Sequence, residues 1–423
     1  LTPRELLLGS FQAALSAADP LQIVPGQLPK PPRGRTVVVG AGKAAGAMAM
    51  AVETHWPAGA PLSGIVITRY GHGLPTKRIR VVEAGHPVPD ESGEAAAREI
   101  LALASSMHED DLLLALVSGG GSALLSLPVE GVSMADLKAV TRQLLASGAP
   151  IQDMNTVRKH LSLIQGGRLA MASRSAVLAL VISDVTGDDP THIASGPCSP
   201  DPTTYRDALD VLSRYGVAPP ASIASHLLRG ASGEIAETPK PGDQAFTRVE
   251  NRVIATAHQS LMTAAAFVQA RGITPMVLGD SVTGESREVA RVFAALARQV
   301  RRHAHPFKPP VALISGGETT VTIRGKGRGG RCTEFLLSLA IELEGEDHVY
   351  ALAADTDGID GSEDNAGALL TADSLARASR LDLPPKAMLA DNDAYGFFSA
   401  LGDLVVTGPT RTNVNDYRII LVQ

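Results

Sequence analysis

Residues 113–122 read Leu113-Leu-Ala-Leu-Val-Ser-Gly-Gly-Gly-Ser122, and residues 311–318 read Val311-Ala-Leu-Ile-Ser-Gly-Gly-Glu318. In each stretch an apolar run ends abruptly in Ser-Gly-Gly. A run without polar alternation reads as a strand covered on both faces, the pattern of a parallel α/β sheet. Glycines at the strand end let backbone N–H groups crowd around an anion without interference from Cβ atoms. Two such phrases, one in each half, predict two α/β units that each present a cradle for phosphate or carboxylate groups.

The flanking sequence supports that class. Strand-like runs recur at 36–39, 64–68, 79–83, 112–117, 178–183, 253–255, 275–279, 311–315, 349–353, 404–407 and 418–422. Helical stretches lie between them at 44–53, 91–104, 134–145, 260–270, 285–302 and 333–344. This alternation is the signature of an α/β protein. A polar, Pro/Gly-rich segment, Glu237-Thr-Pro-Lys-Pro-Gly-Asp243, reads as a boundary. It divides the chain into domains 1–240 and 241–423.

With 423 residues, the chain has room for two or three domains of ~100–200 residues each. A net charge of −6 argues against nucleic acid as an obligate partner, which calls for a basic footprint. Anionic ligands then need local positive groups. The two cysteines, Cys198 and Cys332, have no partner at metal spacing and suit a reducing compartment. Residues 1–20 read as an amphipathic helix carrying charges, unlike a signal peptide. No apolar run approaches the ~20 residues of a membrane span. A cytoplasmic protein without membrane partners is expected.

Six segments carry chemistry. Val37-Val-Val-Gly-Ala-Gly-Lys-Ala-Ala-Gly46 is strand, glycine turn and helix, and fits the dinucleotide pattern G-x-G-x-x-A. A ribose-binding acid is expected at the end of the next strand, yet that strand ends in Arg69-Tyr70. Lys43 at a helix start opposes the helix dipole unless an anion sits beside it, so the turn points to a phosphate. The ordinary alternative is a βα turn with a solvated lysine. Ser118, Gly119, Gly120, Gly121 and Ser122 form the first anion nest. Asp153-Met-Asn-Thr-Val-Arg-Lys-His160 opens a helix in which Asn155 and Arg158 are binding candidates and His160 reads as structural. Residues 181–197 end a strand at Asp184 and continue through Asp188 and Asp189. Carboxylates at that edge suit Mg²⁺ ligation or orientation of a hydroxyl, or serve only as turn caps. In the second half, Gly316, Gly317 and Glu318 lead into a basic glycine-rich loop and Arg331, whose guanidinium can fork onto a phosphate or carboxylate. Asp355, Asp357 and Asp360 end a further strand and suit a metal or nucleotide contact.

Together these blocks resemble the class II glycerate kinases, ATP-dependent D-glycerate 2-kinases whose C-terminal half is a MOFRL domain. The matching blocks are VVVGAGKAAGAM, GHPVPDESG, LVSGGGSALL, DMNTVRKHLSLIQGGRLA, ISDVTGDDPTHIASGP, ISGGETTV, GRGGRCTEF, DTDGIDG and GDLVVTGPTRTNVND, in order along nearly the whole chain. Members often carry the name hydroxypyruvate reductase. The resemblance implies a Rossmann-like N-terminal domain, a smaller α/β C-terminal domain and an active site in the cleft between them. It implies ATP and Mg²⁺ as cofactors, D-glycerate as the small-molecule substrate, Lys43 as the catalytic lysine and Arg331 as the catalytic arginine. Lys43, Arg158 and Arg331 are then the substrate contacts. Ser118–Ser122, Asn155, Gly316, Gly317, Glu318 and Asp357 would hold the nucleotide, and Asp184, Asp189 or Asp357 the metal or the hydroxyl proton. Cys332 stands where the family pattern commonly has Asn, and Arg411 where it commonly has Gly. A homodimer is compatible with the sequence, which sets no oligomeric state. Two other functions keep the same nests: an NAD(P)H-dependent hydroxypyruvate reductase and a binding protein for small organic anions.

Overall fold

The computed structural model describes residues 1–423, which divide into two compact units, residues 20–254 and residues 1–19 with 255–423. In the first unit the six strands are β1 (Thr36–Ala41), β2 (Leu62–Arg69), β3 (Ile79–Ala84), β4 (Leu112–Val117), β5 (Ala176–Ile182) and β6 (Val249–Ala255). They stand in the order β3-β2-β1-β4-β5-β6. The pairings from β3 through β5 are all parallel. This is the doubly wound order, and its ligand crevice lies outside the carboxyl ends of β1 and β4, where the strand order reverses. Those two ends are where the Gly-Ala-Gly-Lys and Ser-Gly-Gly-Gly-Ser turns emerge.

Both β1 and β4 are buried along their full length. Val37, Val39, Leu113, Ala115 and Val117 pack on one face with Ala96, Ala97 and Ile100 of the Glu91–Ser105 helix. The Ala45–His55 helix is almost wholly Ala, Gly and Met on its buried side. Small side chains of this kind allow a close approach of helix to sheet.

The second unit is built on β7 (Thr274–Gly279), β8 (Val311–Gly317), β9 (Val349–Asp355), β10 (Gly367–Leu370), β11 (Leu404–Val405) and β12 (Asp416–Val422), in the order β11-β10-β9-β12-β8-β7. Only β7 and β8 are parallel; β12 runs antiparallel to both β8 and β9, as β10 does to β9 and β11. The continuous apolar runs predicted a parallel sheet, and here that inference fails on direction. β12 is apolar on both sides because helices cover both faces. Leu313, Ala351 and Ile420 face the Ser286–His303 and Arg331–Leu343 helices, whereas Ile314, Leu352 and Ile419 face the opposite side. Apolar continuity reports two-sided burial, not strand polarity.

That opposite side is covered by the Ala257–Gln269 helix and by the Pro3–Ser16 helix at the start of the chain. Leu6, Leu7 and Phe11 enter its core. Phe11 stacks on Tyr417 at 5.8 Å, and the Tyr417 hydroxyl donates to Ser10 Oγ at 3.1 Å. The first helix therefore belongs with the C-terminal sheet, not with domain 1–240. The segment 237–243 lies inside the first unit, where Glu237 accepts from the Tyr205 N–H at 3.0 Å and Thr238 donates to buried Asp201 at 3.0 Å. Its polar residues serve a buried cluster and do not make a linker. No helix is long and apolar enough to cross a membrane.

Candidate active site

In the first unit, two glycine turns are stitched into one framework. The Lys43 N–H donates to the Gly119 carbonyl at 2.8 Å, and the Ala44 N–H donates to Ser118 Oγ at 3.1 Å. The fit demands glycine at position 42: a Cβ there would lie 2.0 Å from Ser118 Oγ, and φ is +143°. Gly120 takes φ +83°, and a Cβ on it would come within 2.9 Å of His86 Nε2 and 3.4 Å of Lys43 Cγ. Lys43, Gly120 and His86 thus converge. The N–H groups of Gly119 and Gly120 take no part in backbone hydrogen bonding. Donors of this kind at the end of a central strand are what an anion nest requires.

Behind the turn runs a polar chain that the sequence did not reveal. Ser122 Oγ lies 2.8 Å from Ser195 Oγ. Ser195 donates to Asn155 Oδ1 at 3.0 Å, and the Asn155 amide donates to the His192 carbonyl at 3.1 Å. Arg158 reaches the same Asn155 oxygen at 3.4 Å. Asn155 is fully buried and half of this network, so its part is to tie the Ile151–His160 helix to the turn. Arg158 is partly buried, and burial pulls its guanidinium below the usual arginine range. Its neighbour Lys159 points the other way, into a buried pair with Asp201 at 3.4 Å.

Ala194 and Ser195 are both left-handed, with φ of 51° and 59°. Such strain costs about 1–3 kcal/mol per residue and persists only where the surroundings over-determine it. Here the Ser195 carbonyl accepts from Gly166 at 3.0 Å, and the Gly196 carbonyl accepts from Gly167 at 2.7 Å. Ser195 and His86 are the site residues missed in the sequence. Their only signals were the Ile-Ala-Ser-Gly-Pro and Gly-His-Pro phrases.

Asp184 lies half-buried just past the end of β5. Asp189 is exposed and accepts the Thr191 N–H at 2.9 Å, the behaviour of a turn cap. Burial pushes its carboxyl up, but the Thr191 donors and the nearby His192 and Lys159 outweigh this and hold it below the usual range. No group of three or more His, Cys, Asp or Glu side chains gathers in a way that could hold a metal ion.

The second unit assembles its polar group at one sheet edge. β8 and β9 end where the antiparallel β12 begins, so Glu318, Asp355 and Asp416 come together from distant parts of the sequence. Arg331, first residue of its helix, donates through Nη1 to Glu318 at 2.7 Å, through Nη2 to Asp355 at 2.8 Å and through Nε to Asp416 at 2.8 Å. Desolvation opposes the charge, yet Asp416, Asp355 and Glu318 raise the Arg331 pKa well above the ordinary arginine value. A guanidinium has five N–H donors, so two remain for a ligand. Asp360, fully buried, accepts the Cys332 and Thr333 N–H groups at 2.9 and 2.8 Å and so fixes the first turn from which Arg331 projects. Asp357 accepts the Ile359 N–H at 2.9 Å within its own loop.

The second Ser-Gly-Gly phrase differs from the first. Gly316 and Gly317 lie within β8, opposite Tyr417 and Asp416 of β12. The Gly316 carbonyl accepts from the Val282 N–H at 3.2 Å and from Arg418 at 3.2 Å. These glycines serve close packing of backbone, whereas the expected turn of free donors occurs only at 118–122.

Residues 6–228 match the family described as a domain of unknown function, DUF4147, and residues 311–416 match the MOFRL family. A protein of Agrobacterium vitis with a provisional hydroxypyruvate reductase name is 51% identical over 100% of this chain and 95% of its own. The D-glycerate 2-kinase of Thermotoga maritima is 39% identical over 99% of this chain and 98% of its own. The crystal structure of a glycerate kinase from Thermotoga maritima superposes with a TM-score of 0.88 at 38% identity, covering 99% of both chains.

Proposed function

The chain belongs to the glycerate kinase family with a C-terminal MOFRL domain, and from that premise we propose that it is an ATP-dependent D-glycerate 2-kinase. It moves the γ-phosphoryl of ATP to the 2-hydroxyl of D-glycerate, giving 2-phosphoglycerate and ADP. Phosphoryl transfer needs alignment and charge neutralisation more than covalent help from the protein. Lys43, at the turn beside Gly120, neutralises phosphate charge, and the Gly119 and Gly120 N–H groups orient it. Arg331, with two donors left and its charge secured by three carboxylates, is the second cation of the reaction. Arg158 supports the acceptor carboxylate. Asp184 takes the proton of the 2-hydroxyl or contributes to the metal site.

Mg²⁺ fits the donors only as a sparse site. It prefers hard oxygen ligands and, in kinases, uses one or two carboxylates together with substrate phosphates. Asp184 and the second oxygen of Asp189 match that need, so the lack of a three-residue cluster is no obstacle. The metal would neutralise charge building on the phosphates. Two free, buried cysteines and the absence of a disulfide agree with a cytoplasmic enzyme.

The observation that carries the kinase reading over a reductase is the pairing of Lys43 in the glycine turn with Arg69, not an acid, at the end of β2. An NAD site calls for the acid and an NADP site could use the arginine, but neither calls for a lysine in the glycine turn. The hydroxypyruvate reductase name belongs to the relative that bears it. The test is an incubation with D-glycerate and Mg-ATP, following ADP and identifying the phosphorylated carbon, beside one with hydroxypyruvate and NADH or NADPH. ADP with 2-phosphoglycerate is expected. Oxidation of NADH without ATP consumption would overturn the proposal, as would saturable binding of D-glycerate with no ADP release.

A further inference from the structure

The unit of residues 20–254 contains a pocket of which only Ser122 and Arg158 have been given a role above. It encloses about 110 Å³, approaching the ~150 Å³ engineered cavity that accepts a benzene ring. Its lining is largely carbon. Pro87 and Val88 contribute from the segment directly after His86, and Leu137 and Leu145 from the Met134–Ala146 helix. Val88 and Leu145 remain 58% and 60% exposed, so apolar surface stands uncovered at this site. Lys138, Arg142 and Arg158 also line it, and no carboxylate does. Ser122 belongs both to this lining and to the glycine turn beside Lys43.

The lining calls for a ligand with a flat apolar body and an anionic end. D-Glycerate does not supply one, because each of its three carbons bears oxygen. A nucleoside triphosphate does: its purine has two apolar faces, and its phosphates carry the charge that Lys138 and Arg142 complement. We infer that this pocket is the nucleotide-base subsite. The purine lies against the Pro87–Val88 segment and the Met134–Ala146 helix, and the triphosphate passes Ser122 to reach Gly119, Gly120 and Lys43. This inference rests on the kinase reading and names where its nucleotide is recognised.

The test is Thr141→Trp, which fills the pocket from a half-buried position on the same helix, and Arg142→Glu, which places a negative charge at an exposed position in its lining. Thr141→Trp should raise the KM for ATP about tenfold or more, while the KM for D-glycerate and kcat stay within about twofold. Arg142→Glu should raise the KM for ATP several-fold, and it keeps the question open to test should the tryptophan variant fail to fold. ADP binding to the wild type and to both variants, followed by calorimetry, should weaken in parallel. A raised KM for D-glycerate with unchanged KM for ATP would assign the pocket to the acceptor and overturn the inference. Unchanged ADP affinity in folded variants would overturn it too. If the wild type makes no ADP from D-glycerate but binds ADP through this pocket, the kinase reading fails and the subsite stands.

Discussion

Asp416→Asn is a sharp test of how the Arg331 edge is held. The Asp416 side chain is fully buried and accepts from two arginines, Arg331 Nε at 2.8 Å and Arg418 Nη2 at 2.6 Å. Arg331 retains Asp355 and Glu318 and is 25% exposed, so it tolerates the loss. Arg418 is 1% exposed, and its other partners are the neutral Gly316 carbonyl and Thr319 hydroxyl, both at 3.2 Å. The substitution therefore strands a buried cation, a defect that costs about 3–5 kcal/mol. For a unit of this size each kcal/mol moves Tm by about 2–4 °C, so a fall of about 6–20 °C is expected. Scanning calorimetry should show it in the transition of the unit that holds β12. Arg418→Met should cost less, because Asp416 keeps Arg331 and the new side chain packs beside Phe335, over whose ring the guanidinium now sits at 5.5 Å. The double variant should recover part of the loss, since no unpaired charge then remains. A shift below about 3 °C for Asp416→Asn, or a larger loss for Arg418→Met, would refute the reasoning.

Lys43→Ala should lower kcat by roughly 10²-fold or more with folding intact, the scale expected for loss of a preorganised charge contact; near-normal turnover would remove Lys43 from the mechanism. Gly42→Ala places a methyl 2.0 Å from Ser118 Oγ and 2.5 Å from its carbonyl, so a loss of about 1–3 kcal/mol in stability and a marked drop in kcat/KM should appear together. Asp184→Asn separates its two roles: a raised Mg²⁺ requirement with partial kcat indicates a ligand, whereas a kcat loss that Mg²⁺ cannot restore indicates the base, and wild-type kinetics would exclude both. Burial holds His160, His192 and His226 below the ordinary histidine range. Each is neutral when folded, so its contribution is complete above the unfolded value of ~6.5 and is lost as pH falls below it toward the lower folded value. Thermal stability of the residue 20–254 unit should therefore fall as pH drops below about 6.5, and a flat profile would contradict these assignments.

The strands β1, β4 and β8 were readable because a strand covered on both faces must be apolar at every position. β10 was not, since four residues of Gly-Ala-Leu-Leu have no pattern of their own and gain strand character only between β9 and β11. The Gly-Ala-Gly-Lys turn was readable as a strand-to-helix turn because its glycines follow a buried apolar run, and its proposed use as an anion site rests on the electrostatics of a lysine at a helix start. The Ser122–Ser195–Asn155 chain was invisible, because its members lie 73 and 40 residues apart and each is an ordinary polar residue in its local context.

By itself, then, the sequence determined the α/β class, the existence of most of the strands and the glycine turn that follows β1. These follow from local steric freedom and from the periodicity of burial, which are written in consecutive residues. Tertiary structure alone decided the antiparallel course of β12, the docking of the Pro3–Ser16 helix on the C-terminal sheet and the different uses of the two Ser-Gly-Gly phrases. It alone set Glu318, Asp355 and Asp416 around one arginine. Those outcomes depend on which surfaces and charges meet across the chain, and a buried charge is held by partners that proximity in sequence does not specify.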